Sequence, residues 1–286
     1  MIDDLIEREG LPADYRAIVQ DYWEPLARTI AERSAGRRPF VVGISGAQGS
    51  GKSTAALFLK CILERLGHST VILSLDDLYL PKAERAELAR TDHPLFATRG
   101  VPGTHDTALA MSVLEDLAAG RDTTLPRFDK AIDDRMGTGQ PVTGPVDIVL
   151  FEGWCIGAAP QDDAALAHPV NALEREEDPD AIWRKAVNHH LRTDYARLFD
   201  RIDMLLMLKV SGFEAVARNR TLQEEKLRAR SPDAPGLMDE AALTRFLAHY
   251  ERLTRHMLEE MPVRADIVLD IGPDQSPQAR CDRARG

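Results

Sequence analysis

Cysteines and long apolar runs are scarce in this chain of 286 residues. Its three cysteines, at positions 61, 155 and 281, form no Cys-x-x-Cys pair, which argues against a disulfide framework or a zinc site. No apolar run approaches the ~20 residues of a membrane-spanning helix. The N-terminal stretch MIDDLIEREG is acidic and lacks an apolar segment, so we expect no secretory signal and a cytoplasmic protein.

Basic residues are also fewer than acidic residues. The chain carries 36 Lys and Arg against 46 Asp and Glu, which gives a formal net charge of −10. This balance argues against general binding to nucleic acid or to an anionic membrane surface. A hydrophobic share of 44% and a charged share of 29% are ordinary for a globular protein, and the length allows a large core.

Short apolar runs alternate with helical patterns along most of the chain. Five runs are typical of buried strands: PFVVGIS, TVILSL, VDIVLF, DMLLMLKV at 203–210 and ADIVLDI at 265–271. Helices are predicted at 13–35, 53–66, 107–119, 179–199, 212–230 and 239–260. The alternation predicts an α/β fold with a mostly parallel five-stranded sheet and helices on both faces.

The predicted domain occupies 40–272, between an N-terminal helical extension at 1–39 and a loose C-terminal tail at 273–286. Three irregular segments interrupt the alternation, at 81–106, 121–145 and 157–180. Long irregular segments in a compact α/β domain are usually functional or disordered. We interpret the first two as acceptor loops and the third, which is acidic, as a surface insertion.

A glycine-rich segment, GISGAQGSGKST at 43–54, contains the pattern GxxxxGK[ST] between a predicted strand and a predicted helix. Glycine lets such a loop curl until its N–H groups converge on phosphate, and the helix that follows directs its positive end at the same anion. We predict a nucleoside triphosphate site, with Lys52 on the β- and γ-phosphates and Ser53 on Mg²⁺. The predicted nucleotide ligands are Gly46, Ala47, Gln48, Gly49, Ser50, Gly51, Lys52, Ser53 and Thr54.

Carboxylates end two of the predicted strands, where ligands of an open parallel sheet collect. Asp76 and Asp77 follow the second strand, and Glu152 ends the third. We predict that Asp76 is the catalytic base and that Glu152 reaches the metal, directly or through water. Asp77 is equally well explained as a helix cap or turn residue. An acid after the second strand favours a kinase over an ATPase.

Two segments beyond these carboxylates are candidates for binding the acceptor. The predicted substrate ligands are Asp77, Tyr79, Arg99, Thr104, His105, Asp106, Arg127 and Lys130. Basic residues outnumber aromatic ones there, and arginine can bind a carboxylate through two hydrogen bonds, so the pattern favours an anionic acceptor. The alternative is a pair of solvated loops with incidental charge.

A basic helix at about 212–230 is a candidate lid. Small-molecule kinases close a basic segment over the phosphates to exclude water and stabilise transition-state charge. We predict that Arg218 binds nucleotide and that Arg220 is catalytic. The alternative is an exposed helix with ordinary Glu–Lys and Glu–Arg pairs.

Several segments together resemble a known family. They are GISGAQGSGKST, LSLDDLYL, HPLFATRGVPGTHD, LPRFDKA, VLFEGWCIGA, RNRTLQEEKLR and RADIVLDI. They are similar to segments of the plant- and fungal-type D-glycerate 3-kinases and their bacterial relatives. This family lies within the uridine kinase, phosphoribulokinase and pantothenate kinase group of P-loop kinases, and the resemblance runs from about residue 40 to 272.

The resemblance implies a P-loop NTPase fold with a helical lid, ATP and Mg²⁺ as cosubstrates, and conversion of D-glycerate to 3-phosphoglycerate. It also implies that Lys52 and Ser53 bind nucleotide and metal, and that the basic helix around Arg220 is the lid. Asp76 matches the acid that serves as catalytic base in the uridine kinase group.

Two other functions remain open from the residues. One is a kinase for another small alcohol, such as a nucleoside, a pantothenate-like acid or a sugar phosphate. A nucleoside would need aromatic stacking surfaces, and the acceptor loops offer Phe96 and Phe128 alone. The other is a non-enzymatic regulatory NTP-binding module, which predicts an exposed apolar partner surface. Nucleic-acid binding through the basic helix is disfavoured by the net charge of −10.

Overall fold

A computed structural model describes residues 2–230 and 238–283 of the chain. Helices α1 to α11 span Ile2–Arg8, Tyr15–Ile18, Glu24–Arg33, Lys52–Arg65, Lys82–Thr91, Thr107–Ala118, Ala172–Glu177, Ile182–His190, Ala196–Phe199, Phe213–Arg230 and Glu240–Glu260. Strands β1 to β10 span Phe40–Gly46, Thr70–Ser74, Thr123–Leu125, Phe128–Asp129, Asp134–Arg135, Gln140–Val142, Ile148–Gly153, Met204–Lys209, Ile267–Ile271 and Pro277–Asp282. Short 3₁₀ turns at Leu75–Leu78, Pro94–Ala97, Asp163–Leu166 and Met261–Val263, and π-helical turns at Val19–Trp23 and Leu191–Tyr195, complete these elements.

The central sheet has the strand order β10-β9-β8-β1-β7-β2, and every pairing is parallel except that of β10 with β9. Strand β1 lies in the middle, where Val42 pairs with Leu150 of β7 on one side and Met204 of β8 on the other. All residues of β1 and β7 are buried, as expected for strands covered on both faces. The predicted α/β fold with a mostly parallel sheet is therefore confirmed.

Helices cover both faces of this sheet and form two apolar cores. Because side chains alternate along a strand, Leu150 packs on one face with α3 and α4, whereas Val149 and Phe151 pack on the other with α6 and α11. The N-terminal segment 1–39 contributes Leu26 and other side chains to the first core. From Ile2 onward this helical extension packs against the first core.

The five-strand prediction and the loose tail at 273–286 both need correction. The chain turns at Gly272–Ser276, where the Gly272 N–H donates to the Ser276 carbonyl at 2.8 Å, and Pro277–Asp282 then pairs antiparallel with β9 as a sixth strand. Pairing satisfies backbone groups that would otherwise stay open at the edge of β9. The last three residues of the predicted tail, 284–286, lie outside the described residues.

The three irregular segments are more ordered than expected. Segment 81–106 contains α5, and segment 121–145 forms two small sheets, β3 with β6 and β4 with β5. The surface insertion predicted at 157–180 was wrong in part, because Glu174 is fully buried and its carboxylate accepts hydrogen bonds from Arg252 of α11. Across the described chain, no helix is both long and apolar enough to cross a membrane.

Candidate active site

The phosphate-loop residues Gly46–Thr54 lie between the end of β1 and the first turn of α4. Gly49 and Gly51 have φ angles of 73° and 84°, in the left-handed region that favours glycine, and Gly51 caps the N-terminus of α4. A Cβ atom on Gly49 would lie 2.7 Å from Cβ of Asn219. The loop therefore has a backbone shape and a helix N-terminus of the kind that binds phosphate.

The helix α10, which spans the predicted lid, contacts this loop directly. The Asn219 side chain is buried, and its Nδ2 donates a hydrogen bond to the Gly49 carbonyl at 3.1 Å. Of the two predicted lid arginines, Arg218 is exposed. Arg220 lies 2.9 Å from Glu224, which is one helical turn further along α10. Its guanidinium also lies above the ring of Phe246 on α11.

Asp76 lies in the 3₁₀ turn at the end of β2, beside the phosphate loop. Its Oδ1 accepts a hydrogen bond from the Tyr79 hydroxyl at 3.0 Å, and its Oδ2 accepts one from Lys130 Nζ at 2.5 Å. Burial alone would raise the pKa of Asp76, but the charges of Lys130 and Lys52, with these hydrogen bonds, hold it well below its usual range. Asp76 is therefore a carboxylate across the physiological pH range.

Glu152, at the end of β7, faces the start of α4. Its Oε1 accepts hydrogen bonds from Ser74 at 2.8 Å and from Ser53 at 3.3 Å. The other oxygen, Oε2, is buried without a hydrogen-bond partner among the described residues. Burial raises the pKa of Glu152, against the opposing charge of Lys52. An oxygen left without a partner next to a serine hydroxyl suits a hard cation such as Mg²⁺, so the residues present fit that ion.

The segment predicted to bind the acceptor is anchored to the strand end by Asp77. Arg127 donates to Asp77 Oδ2 at 2.6 Å, and the Phe128 N–H donates to Oδ1 at 3.0 Å. Arg99 pairs with Asp133, and its guanidinium lies over the Phe128 ring at 5.8 Å from the centroid. Asp77 and Arg127 thus hold each other in place, whereas Lys130, more than half exposed, extends to Asp76.

Thr104, His105 and Asp106 follow the turn that Gly100 and Gly103 make possible. Thr104 is completely buried, and its hydroxyl accepts from the Gly100 N–H and donates to the Val101 carbonyl. Asp106 caps the N-terminus of α6 and pairs with Arg135. The substrate contacts predicted for Thr104 and Asp106 are therefore not supported, because both side chains stabilise the local backbone instead.

His105 differs from its two neighbours because one of its ring nitrogens has no partner among the described residues. Its ring stacks on Tyr79 with 4.6 Å between centroids, and Nδ1 lies 2.6 Å from the Tyr195 hydroxyl. The other nitrogen, Nε2, is buried and unpartnered. Burial lowers the pKa of His105 to about 3, although the charge of Asp76 acts in the opposite direction.

Four residues of the site were missed from the sequence. Ser74 bonds Glu152, Asn219 bonds the phosphate loop, Tyr195 bonds His105, and Tyr250 donates from its hydroxyl to the Arg99 carbonyl at 3.0 Å. Ser74 carries a usable signal, since it precedes Asp76 at a strand end. The other three reach the site from helical segments far away in sequence, and no local pattern marks them.

Comparison with known proteins places the chain among kinases. It is 37% identical over 227 residues to "Uncharacterized kinase mug58" of Schizosaccharomyces pombe, covering 74% of this chain and 79% of that protein. It is 29% identical over 258 residues to the chloroplastic D-glycerate 3-kinase of Arabidopsis thaliana, covering 84% of this chain and about half (54%) of that enzyme. No protein-family model matches the chain.

A solved structure shows the same fold. D-glycerate 3-kinase from Cryptococcus neoformans superposes with a TM-score of 0.77 at 23% sequence identity, covering 92% of this chain and 99% of that one. Together with the phosphate loop and the carboxylates at the strand ends, these similarities identify an ATP-dependent phosphotransferase with an alcohol group on a small molecule as acceptor. The chain belongs to the P-loop kinase family that includes mug58 and the D-glycerate 3-kinases.

Proposed function

We propose that this kinase transfers the γ-phosphate of ATP to a hydroxyl of D-glycerate, giving 3-phosphoglycerate and ADP. The observation that carries the proposal is the ionised Asp76 carboxylate, which lies between the phosphate loop and the two acceptor segments, of which 81–106 bears Arg99 and 121–145 bears Lys130. A carboxylate in this position can accept a proton from an attacking hydroxyl. Basic side chains beside it favour an acceptor that is itself an anion.

In this mechanism the acceptor hydroxyl oxygen attacks the γ-phosphorus in line with the bond to the ADP oxygen, which breaks as the new P–O bond forms. The hydroxyl proton passes to Asp76. Lys52 and the loop N–H groups hold the phosphates, and Arg220 of the lid stabilises charge once the lid closes. Arg218, exposed on the same helix, would contact the nucleotide.

Ser53 and Glu152 are the residues that would hold Mg²⁺, Glu152 directly or through water. When bound, Mg²⁺ would supply positive charge that neutralises part of the charge on the phosphates. The Glu152 oxygen that has no partner in the described parts of the chain, and the neighbouring Ser53 hydroxyl, support this assignment.

On the acceptor side, we assign direct contacts to Lys130, Arg99, Tyr79 and His105. Asp77 and Arg127 would act through the loop that they anchor. An anionic hydroxy acid is the proposed partner, and neither nucleic acid nor a membrane is required. The cytoplasmic location stays a prediction.

The test is ADP release from ATP and Mg²⁺ with D-glycerate, pantothenate, uridine and ribulose 5-phosphate supplied separately. We expect strong stimulation by D-glycerate alone, with 3-phosphoglycerate as the product. Stimulation by one of the other acceptors would replace the substrate and keep the kinase. Equal, slow hydrolysis with all four would contradict the proposal and favour the regulatory module.

The base assignment is tested by Asp76→Asn, which should lower kcat by about 10²–10⁴-fold while ATP affinity is largely kept. A matched control is Asp270→Asn, which changes an exposed aspartate of β9 and should leave kcat unchanged. Near-normal turnover of Asp76→Asn would show that another group takes the proton.

A further inference from the structure

The side chain of Tyr195 reaches the acceptor side of the site from the π-helical turn that follows α8. It is completely buried, and its hydroxyl lies 2.6 Å from Nδ1 of His105. The same hydroxyl oxygen accepts a hydrogen bond from the Gly103 N–H at 3.1 Å. Tyr195 therefore contacts both the His105 side chain and the backbone two residues before it.

The direction of this hydrogen bond follows from the single hydrogen that the Tyr195 hydroxyl carries. Burial raises the pKa of Tyr195, so the hydroxyl keeps its single hydrogen. Its oxygen already accepts from Gly103, and within residues 2–230 and 238–283 the only acceptor at hydrogen-bond distance from the hydroxyl is Nδ1 of His105. The hydroxyl of Tyr195 therefore donates to Nδ1.

The ring of His105 is neutral, because its pKa is lowered to about 3 by burial, and a neutral imidazole carries one hydrogen on one of its two nitrogens. Since Nδ1 accepts a hydrogen bond, the hydrogen lies on Nε2. That N–H is buried and has no partner among the described residues. The ring stacks on Tyr79, whose hydroxyl bonds the carboxylate of Asp76.

We propose that Tyr195 is a positioning residue that fixes His105 in the tautomer with its hydrogen on Nε2, so that this N–H can bond an oxygen of the acceptor beside Asp76. The second half of the inference rests on the proposed function. A donor fixed in this way selects acceptors that carry an oxygen at that point, because an analogue without it leaves a buried N–H unpaired. The hydrogen bond from Nε2 to the acceptor does not require His105 to be charged.

A double-mutant cycle separates this role from a purely structural one. Tyr195→Phe removes the hydroxyl that holds the tautomer, and His105→Gln replaces the imidazole with an amide whose N–H needs no tautomer. We expect Tyr195→Phe to raise the KM for the acceptor about tenfold with a smaller effect on kcat, a coupling of ordinary size for neighbouring groups. In the His105→Gln background, the same change should have little further effect.

Tyr15→Phe is the matched control. It also removes a hydroxyl that accepts a hydrogen bond, from Trp23, but it lies among the N-terminal helices. It should leave the KM for the acceptor unchanged. An equal rise in KM on Tyr195→Phe in the wild-type and His105→Gln backgrounds would overturn the positioning role.

The tautomer itself is measured by nitrogen-15 NMR of labelled histidine, with the His105 signals assigned by their loss in His105→Gln. Wild-type protein should show hydrogen on Nε2 at neutral pH, and Tyr195→Phe should show a mixture of tautomers. Hydrogen on Nδ1 in the wild type would overturn the inference. Because this readout needs no acceptor, a correct tautomer combined with no response to D-glycerate would refute the proposed substrate and leave the tautomer standing.

Discussion

Lys130 Nζ lies 2.5 Å from Asp76 Oδ2, so the exposed lysine of the acceptor segment bonds the residue proposed as the base. This contact, with the charge of Lys52, outweighs the burial that would otherwise raise the pKa of Asp76. A folded-state pKa held below the unfolded value of ~3.9 stabilises the fold above that value, and the stabilisation is lost as the pH falls through the folded-state pKa. A base must be ionised to accept a proton, so the lowered pKa of Asp76 also keeps it able to act as a base at lower pH.

Lys130→Met should therefore raise the pKa of Asp76 by about 1 unit, because it removes a neighbouring cation that favours the carboxylate. The measurement is a nuclear magnetic resonance titration of the Asp76 carboxyl group at fixed ionic strength. Lys185→Met, which removes an exposed lysine of α8, is the control and should leave that pKa unchanged. An unchanged pKa in Lys130→Met would separate Lys130 from the ionisation of Asp76.

Gly49→Ala should weaken ATP binding by at least about tenfold. The new Cβ would meet Asn219 of the lid helix at 2.7 Å, and φ of 73° is a conformation that costs alanine about 1–2 kcal/mol. Gly36→Ala is a close control, since Gly36 has φ of 81° but, among the described residues other than its chain neighbours, no atom lies within 4 Å of the added Cβ. It should reduce stability with no change in ATP affinity, measured by calorimetric titration. Equal affinities in the two variants would argue against a lid contact at the phosphate loop.

Glu152→Gln should stabilise the protein without Mg²⁺ and weaken its response to the ion. Burial raises the pKa of Glu152, so its ionised form at neutral pH is unfavourable to folding, and glutamine removes that charge while still accepting from Ser74. We expect the Tm without Mg²⁺ to rise by a few degrees, and the further rise caused by Mg²⁺ with nucleotide to shrink.

Glu64→Gln provides the comparison for Glu152, because Glu64 lies at the surface in a pair with Lys60 at the other end of α4. Glu64→Gln should change neither the Tm without Mg²⁺ nor the further rise in Tm caused by Mg²⁺ with nucleotide. An unaltered Mg²⁺ response in Glu152→Gln would remove Glu152 from the metal site.

Glu174→Gln should cost about 3–5 kcal/mol of the free energy of unfolding, because it leaves Arg252 buried with its charge unpaired. Arg252 donates to both Glu174 oxygens at 2.7 Å, and the two side chains are 9% and 0% exposed. Glu177→Gln, in an exposed pair with Arg245 between the same two helices, should cost less than about 1 kcal/mol. Urea unfolding measures both losses of unfolding free energy. Similar losses in the two variants would show that the buried pair contributes no more to stability than the exposed one.

The parts of this molecule that local chemistry determines were predictable from the sequence. The strand–glycine loop–helix order around Gly46–Thr54 needs only the backbone freedom of glycine and a helix N-terminus, and the apolar strands follow from burial on both faces. Strand β10 was missed because its sequence, PQARCD, is polar and gains its place by pairing with β9. The turn GPDQS before it carried the available signal.

The individual partners in the candidate site could not be predicted in the same way. Thr104 and His105 are adjacent and both polar, yet Thr104 bonds its own turn whereas His105 contacts Tyr195, 90 residues away. Likewise Asp77 anchors Arg127 while Asp76 meets Lys130. Tertiary contacts between distant segments decide which of two adjacent polar residues stabilises the fold and which one is available to a ligand. The spacing of residues along the chain does not reveal those contacts.

Strand β10 also affects how the protein behaves at high concentration. It covers the backbone edge of β9, pairing Arg280 with Leu269 and Cys281 with Val268, and it presents mostly exposed polar side chains outward. A second molecule that approaches this edge of the sheet therefore meets a mostly polar strand, which is a poor template for pairing between molecules. A preparation clipped before Pro277 would uncover the backbone edge of β9, and we expect it to aggregate more readily than the intact protein.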